Sequence, residues 1–415
     1  VAMFAWKRAF CRQNGLQMNT FSKPSPFDFD EKILLQGAEI SRRLDQLRRE
    51  KPPQIGKKML RMFSMAEVAH YLGVSPNNLK RLHLEGKGPV PRISAAGRRS
   101  YNAEQIQELR FYLDKTGKSD AKKYVPHRKG TDTLQVVAIV NVNAGSGKTT
   151  TAAHLAQHLA LTGHRVLTVD LDPQATLSAL YGLQPGFNKN PSIFDSWPIG
   201  EGLASIEDVI LPTNFPGLDI IPANLQLLKY QFSMPSTVHD AVEGQRFFSH
   251  FAKALAIVDH RYDVVVIDCP PDAGYLTLTA LIAATSILIT ARPHMLDLIS
   301  MGQSMVMLGN IAGAIKQFRV NAEVDWLRYL ITCYDPADVT QAQMVGFMRS
   351  VLTEEILTHP MVRSRAVFDA NLTKQTLYEL ERSSLTRGTD ERAIECMEAV
   401  NSEIQDLIHR AWGRM

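Results

Sequence analysis

The stretch Val136-Val137-Ala138-Ile139-Val140-Asn141-Val142-Asn143-Ala144-Gly145-Ser146-Gly147-Lys148-Thr149-Thr150 decides the fold. Its first five residues are apolar and mostly β-branched, which reads as a buried strand. A loop with two glycines follows, and Ala152 to Leu161 then reads as a helix. A strand, a glycine loop and a helix N-terminus together make a cradle for phosphate. Gly145 and Gly147 let backbone N–H groups close on the anion, and the helix dipole favours its charge. In such a cradle Lys148 reaches the β- and γ-phosphates and Thr149 ligates Mg²⁺. The expected ligand is a nucleoside triphosphate, ATP, with ADP after hydrolysis.

Working downstream, Arg165-Val166-Leu167-Thr168-Val169 reads as a second strand and delivers Asp170 and Asp172. Alternation puts these two carboxylates on one side, at the sheet edge where ligands bind. Tyr262 to Ile267 reads as a third strand ending at Asp268, a usual position for a carboxylate that holds Mg²⁺ through water. Buried strands alternating with helices from residue 135 to 415 predict an α/β fold, a P-loop doubly wound domain with a mainly parallel sheet.

Upstream, the charge changes sign. Residues 1–134 carry 26 Lys and Arg against 13 Asp and Glu, while residues 135–415 carry 20 against 29. A basic front on an acidic body suits a polyanion partner. Within it, residues 58–113 read as a winged helix-turn-helix. Ser64-Met65-Ala66-Glu67 forms a capping box, Gly73-Val74 a turn, and Ser75-Pro76 opens a second helix. That helix offers Asn77, Asn78, Lys80 and Arg81 to bases or phosphates. Arg98 and Arg99 lie in the expected wing, and Asn102 caps a third helix containing Ile106, Leu109 and Leu113. Ahead of this domain, residues 28–53 read as a helix whose seam is Ile33, Gly37, Ile40, Leu44 and Leu47, stopped by Lys51-Pro52-Pro53. Such a helix serves either as a dimerisation arm or as a piece packed on its own domain. Residues 1–27 read as a flexible tail and 114–134 as a basic linker.

Two resemblances follow from these residues. The capped helix, the Leu72-Gly73-Val74-Ser75 turn, Glu85-Gly86 and the run Gly97, Arg99, Tyr101 resemble the winged helix-turn-helix of MerR-type regulators. The P-loop, then Val169-Asp170-Leu171-Asp172-Pro173-Gln174, then Asp268-Cys269-Pro270-Pro271-Asp272, resemble the ParA/MinD ATPases with their deviant Walker A pattern. Together the layout is similar to the large plasmid-partition ParA proteins. Residues 294–303 and 330–341 look like RepA of repABC replicons.

The resemblance implies that Asp172 orients the attacking water, that Asp170 and Asp268 organise Mg²⁺, and that Thr150 contacts the α-phosphate. It implies a switch at Gly274-Tyr275-Leu276-Thr277, a homodimer closed by ATP, and non-specific DNA binding. A ParB/RepB-like centromere-binding partner would stimulate hydrolysis, and the winged domain would repress its own operon. The expected place is the cytoplasm, on the nucleoid.

One departure limits the likeness. The family's signature lysine falls at Asn143 and its first glycine at Ala144. Nucleotide binding is expected to survive, with trans-dimer activation weakened; a nucleotide-switched repressor with little hydrolysis stays open beside the partition ATPase. Other signals are bland. The four cysteines are scattered with no CxxC pair, which disfavours a disulfide framework or zinc ribbon. Ile394, Met397, Val400, Ile404, Leu407, Ile408 and Trp412 predict an amphipathic helix, too acidic for an anionic membrane and expected to pack on the core.

Overall fold

A computed structural model describes residues 29–50, 58–117, 124–183, 191–196, 205–228, 241–316, 323–381 and 388–414. The expected tail, the Lys51-Pro52-Pro53 stop and residues 118–123 of the expected linker lie outside them. The chain divides into two compact units, residues 1–56 and 57–415.

In the first unit, α1 (Phe29–Glu50) is the helix expected from the heptad-like seam. Glu39 pairs with Arg42 and Arg43 at 2.7 and 2.8 Å, one and the same turn apart. Ile33 and Ile40 of the seam are exposed.

The second unit opens with a small winged fold. β1 (Phe63–Ser64) leads into α2 (Met65–Leu72), whose capping box between Ser64 and Glu67 forms as the sequence predicts. Gly73 takes a left-handed conformation (φ 63°) to turn the chain. α3 (Pro76–Leu84) then starts at Ser75, whose side chain accepts from Asn78 N. β2 (Arg92–Ile93) and β3 (Arg99–Tyr101) make the wing, and Asn102 caps α4 (Ala103–Thr116). The sheet order β1-β3-β2 adds a strand that two residues of sequence could not announce. Val68, Leu72, Leu79 and Leu82 are buried, the inward faces the periodicity assigns, and so are Ile106, Leu109 and Leu113.

Next comes the α/β body. β4 (Gln135–Val140), α5 (Lys148–Leu161), β5 (Val166–Asp170) and α6 (Thr176–Leu180) follow in order. After them come β6 (Leu211–Pro212), β7 (Leu218–Ile221), α7 (Ala241–Ile257), β8 (Val264–Asp268), α8 (Tyr275–Ala283) and β9 (Ser286–Ala291). α9 (Met295–Ile315), β10 (Trp326–Ile331), α10 (Val339–Leu352), α11 (Arg365–Leu372) and α12 (Thr389–Ala411) complete it. The seven-stranded sheet runs β10-β9-β4-β8-β5-β7-β6, with every pair parallel except the β6–β7 edge. All residues of β4, β5 and β8 are buried, as strands covered on both faces must be.

Two boundaries differ from the sequence expectation. α5 begins at Lys148 rather than Ala152, because the P-loop itself runs into the first helical turn. β5 and β8 each end on their aspartate, so Asp170 and Asp268 are last strand residues, paired in register.

α5 is buried along nearly all its faces. α12 covers it on one side, with Ile394, Met397, Val400, Ile404 and Ile408 in the core, as expected for a packing helix. No helix among the described residues is long and apolar enough to cross a membrane. The winged fold packs against the same region. Arg110 on α4 donates to the carbonyls of Tyr71, Tyr124 and Leu161 at 2.8–3.0 Å. Arg61 donates to Tyr378 O at 2.9 Å and pairs with Glu67 at 2.6 Å. Glu398 on α12 accepts from the Tyr71 hydroxyl at 3.1 Å and contacts His158 Nδ1 at 3.0 Å.

Candidate functional site: a phosphate loop beside buried carboxylates

The loop after β4 is fastened by the ends of two neighbouring strands. Asn141 Nδ2 donates to Thr290 O, and Asn141 Oδ1 accepts from Asn143 N at 2.8 Å. Thr290 Oγ1 reaches Ser146 Oγ at 3.0 Å, and Thr332 Oγ1 donates to Ser146 O at 2.7 Å. Gly145 and Gly147 have φ of 73° and 86°, a region that side chains avoid. A Cβ on Gly147 would sit in ordinary contact with Thr332, at 3.4 Å, so it is the backbone angle that calls for glycine. The glycines of the motif are therefore demanded by the backbone that forms here.

Lys148 is buried and folds back so that Nζ donates to Asn143 O at 3.2 Å. Burial lowers its pKa, while Asp268 works in the other direction. Thr149 and Thr150 are half-buried at the start of α5, and the Thr150 carbonyl contacts His154 Nδ1 at 2.7 Å.

The three aspartates converge on this loop, as their strand ends predict, but they are differently employed. Asp170 Oδ2 accepts from both N and Oγ of Ser178, at 2.8 and 2.7 Å, and its Oδ1 accepts from Asp172 N at 3.1 Å. Burial pushes its pKa up to about 7, against those hydrogen bonds. Asp172 is half-exposed and caps the following turn through Gln174 N at 2.9 Å; burial raises its pKa too, with Lys148 opposing. Asp268 is fully buried and both its oxygens lack a hydrogen-bond partner. Burial, then the neighbouring Asp170, raise its pKa well above the carboxylate range; the Thr149 hydroxyl and Lys148 offset this only in part. A buried carboxylate with two orphaned oxygens beside a phosphate loop fits a hydrated Mg²⁺. Asp268 with the Thr149 hydroxyl is the donor set that would hold it, and the ion would supply positive charge at the phosphates.

Gly274 opens α8, its N–H donating to Asp272 Oδ1 at 2.7 Å. Asn143 does not extend away from the loop. Its Nδ2 donates to Asp297 O at 3.1 Å and its Oδ1 accepts from Ser300 Oγ at 2.8 Å, both on the first turns of α9. Ala144 is exposed. Sequence reasoning missed Arg292, one residue beyond β9. Its Nη1 lies 3.5 Å from where a Gly145 Cβ would be, and its Nη2 pairs with Asp297 at 2.9 Å. No local pattern marks an arginine that becomes a neighbour of the loop only through strand order.

The second set of residues stands on α3 and on the wing, apart from the loop. Asn77, Lys80, Arg81 and Arg98 are exposed, while Asn78 and Arg99 are half-buried. Arg81 Nη2 donates to Asn78 Oδ1 at 3.1 Å, so these two share one face of α3. Among the described residues no group of three or more His, Cys, Asp or Glu side chains is gathered to hold a metal ion by itself.

Comparison with known proteins agrees with both halves. Residues 134–320 match the AAA domain family, and residues 63–113 match the MerR HTH family of regulatory proteins. The chain is 29% identical to the chromosome partitioning protein ParA of Caulobacter vibrioides over 57% of its length and 84% of that protein's. A cobyrinic acid a,c-diamide synthase from Mycobacterium smegmatis, solved with ADP and magnesium, superposes with a TM-score of 0.52 at 25% identity. The match covers 68% of this chain and 97% of that one. A putative replication protein A of Sinorhizobium fredii is 53% identical over 96% of this chain and 99% of its own. On that match and on the loop and strand ends described above, the chain belongs to the ParA-type P-loop ATPases, among the relatives of replication protein A.

Proposed function

We propose that this protein is a Mg²⁺-dependent ATPase of plasmid partition that dimerises on ATP and binds DNA. A ParB-like centromere-binding protein stimulates its hydrolysis, and its winged domain represses its own operon. It works in the cytoplasm, on nucleoid DNA. The observation that carries this reading is the convergence of Lys148, Thr149 and the orphaned Asp268 within one unit that also bears the exposed face of α3. The partitioning and ADP–magnesium relatives support it.

Lys148 and the N–H groups of residues 145–150 would hold the phosphates, and Asp268 with Thr149 would hold the ion. Asp172 orients the attacking water, a reading its half-exposed carboxylate supports. Asp170 acts through position: its bonds to Ser178 and Asp172 set the turn that presents Asp172. Asn77, Asn78, Lys80, Arg81, Arg98 and Arg99 contact operator DNA.

A second reading, a nucleotide-switched repressor that scarcely hydrolyses, is favoured by Asn143. The side chain at the signature position is uncharged and tied to α9 in its own chain. It offers no cation to a partner's phosphates, where charge develops in the transition state. Steady-state ATP turnover with DNA and partner separates the two. Asn143→Lys with Ala144→Gly is expected to raise stimulated turnover about tenfold or more, the scale of one well-placed charged donor. No gain in the double variant, with wild-type turnover already high, would remove Asn143 as a brake.

A further inference from the structure

We propose that Arg292 is a cis-acting phosphate sensor, the residue by which this chain distinguishes a triphosphate from a diphosphate. The inference rests on the reading of the loop as an ATP site and concerns its selectivity.

The strand end that carries Arg292 is fixed to the loop. Asn141 binds the Thr290 carbonyl, and the Thr290 hydroxyl binds Ser146. Two residues later Arg292 turns its guanidinium toward Gly145, on the side where glycine leaves no side chain in the way. A guanidinium has five N–H donors. Only Nη2 is engaged, with Asp297 at 2.9 Å, and Nε is buried with no acceptor. Nη1, the nitrogen that faces Gly145, makes no hydrogen bond of its own, and a terminal phosphate oxygen has the charge and the geometry to accept from it.

Asn143 belongs to the same arrangement. Its amide holds the Asp297 carbonyl, and Ser300 holds its amide oxygen. Asn143 thus pins the first turn of α9, Asp297 on that turn pins Arg292, and Arg292 stays over the loop. A lysine at 143 would place a second cation beside the guanidinium, whereas asparagine adds none. The position that costs the chain its lysine serves here to locate an arginine.

The test uses the full-length protein with Mg²⁺ and calorimetric titration of ADP and of a slowly hydrolysed ATP analogue. Arg292→Ala is expected to weaken the analogue about tenfold, one charge-assisted contact, and ADP by less than about twofold. Arg292→Lys keeps the charge but not the fork and should fall between. Asp297→Asn releases the arginine without touching the phosphates; it should lose part of the analogue preference while melting like the wild type. Equal losses for both nucleotides, or no loss in Arg292→Ala, would overturn the proposal. A wild type that binds neither nucleotide, like Lys148→Ala, would instead overturn the ATP reading beneath it.

Discussion

At the scale of single residues, the loop shows how tightly the backbone dictates the motif. Gly147 has φ of 86°, so Gly147→Ala suffers backbone strain, even though Thr332 at 3.4 Å from the added Cβ leaves it ordinary contact. Strain of that kind costs about 1–3 kcal/mol. Because Thr332 also holds Ser146 O, the loop is expected to open rather than absorb it. We expect a modest fall in thermal stability and a loss of ADP binding of more than about tenfold, measured by unfolding and by titration. Retained affinity would show that the loop tolerates the side chain. These glycines, Lys148 and the three aspartates were legible in the sequence because their chemistry follows from local pattern. The inward turn of Asn143 and the approach of Arg292 were not. Both depend on which strand lies beside β4, a fact set by long-range pairing.

At the scale of elements, α5 carries a device that responds to pH. His154 is fully buried, its Nδ1 donating to the Thr150 carbonyl and its Nε2 accepting from Leu377 N at 3.1 Å. Only the neutral ring satisfies both, since a proton on Nε2 would face an N–H. Burial accordingly lowers its pKa to about 4, with the Thr150 contact and Glu398 opposing. In the unfolded chain the ring protonates below its ordinary value of 6.5, while the folded chain resists until about 4. The stabilisation is therefore complete above pH 6.5 and is lost as pH falls from 6.5 toward 4. Two to three pH units of differential protonation amount to about 3 kcal/mol. Asp170, pushed up to about 7, works oppositely, gaining stability as pH falls. The comparison to make is thus between variants. His154→Gln should lose about 3 kcal/mol less than the wild type across that window in urea titrations. Parallel slopes would show that the ring does not titrate this way.

The elements themselves were largely readable. Caps at Ser64, Ser75 and Asn102 fixed three helix starts, and β-branched runs fixed the buried strands. β1 escaped because two residues carry no periodicity, and α5 started early because a glycine loop hides the first helical turn.

At the scale of the whole second unit, Arg110 is the most buried of the cations that join its parts. Arg110 comes from the winged fold, is buried, and reaches carbonyls of α2, of α5 and of Tyr124 between the two folds. No carboxylate pairs with it, and burial lowers its pKa to about 10. Arg110→Met leaves three carbonyls without this donor, each worth about 1–3 kcal/mol. We expect a net loss on the order of 3 kcal/mol and a calorimetric trace in which the winged fold melts ahead of the ATPase. A single unshifted transition would mean that Arg110 is not what holds the two folds together. Sequence suggested separate domains joined by a basic tether; the buried seam between them was invisible, since its two sides lie far apart in the chain.

That seam has a consequence for how the molecule is made. The Tyr71 hydroxyl meets Glu398, 327 residues later, and α12 also closes over α5. At about 5–20 residues per second, roughly 15–65 seconds separate the emergence of the two partners from a ribosome. For that interval Tyr71 on α2 waits for its partner, and α5, once made, waits for the rest of α12. A translational pause just before residue 389 would prolong the wait, whereas one near residue 60 would not. The helix that meets Tyr71 of α2 is encoded more than three hundred codons downstream of it.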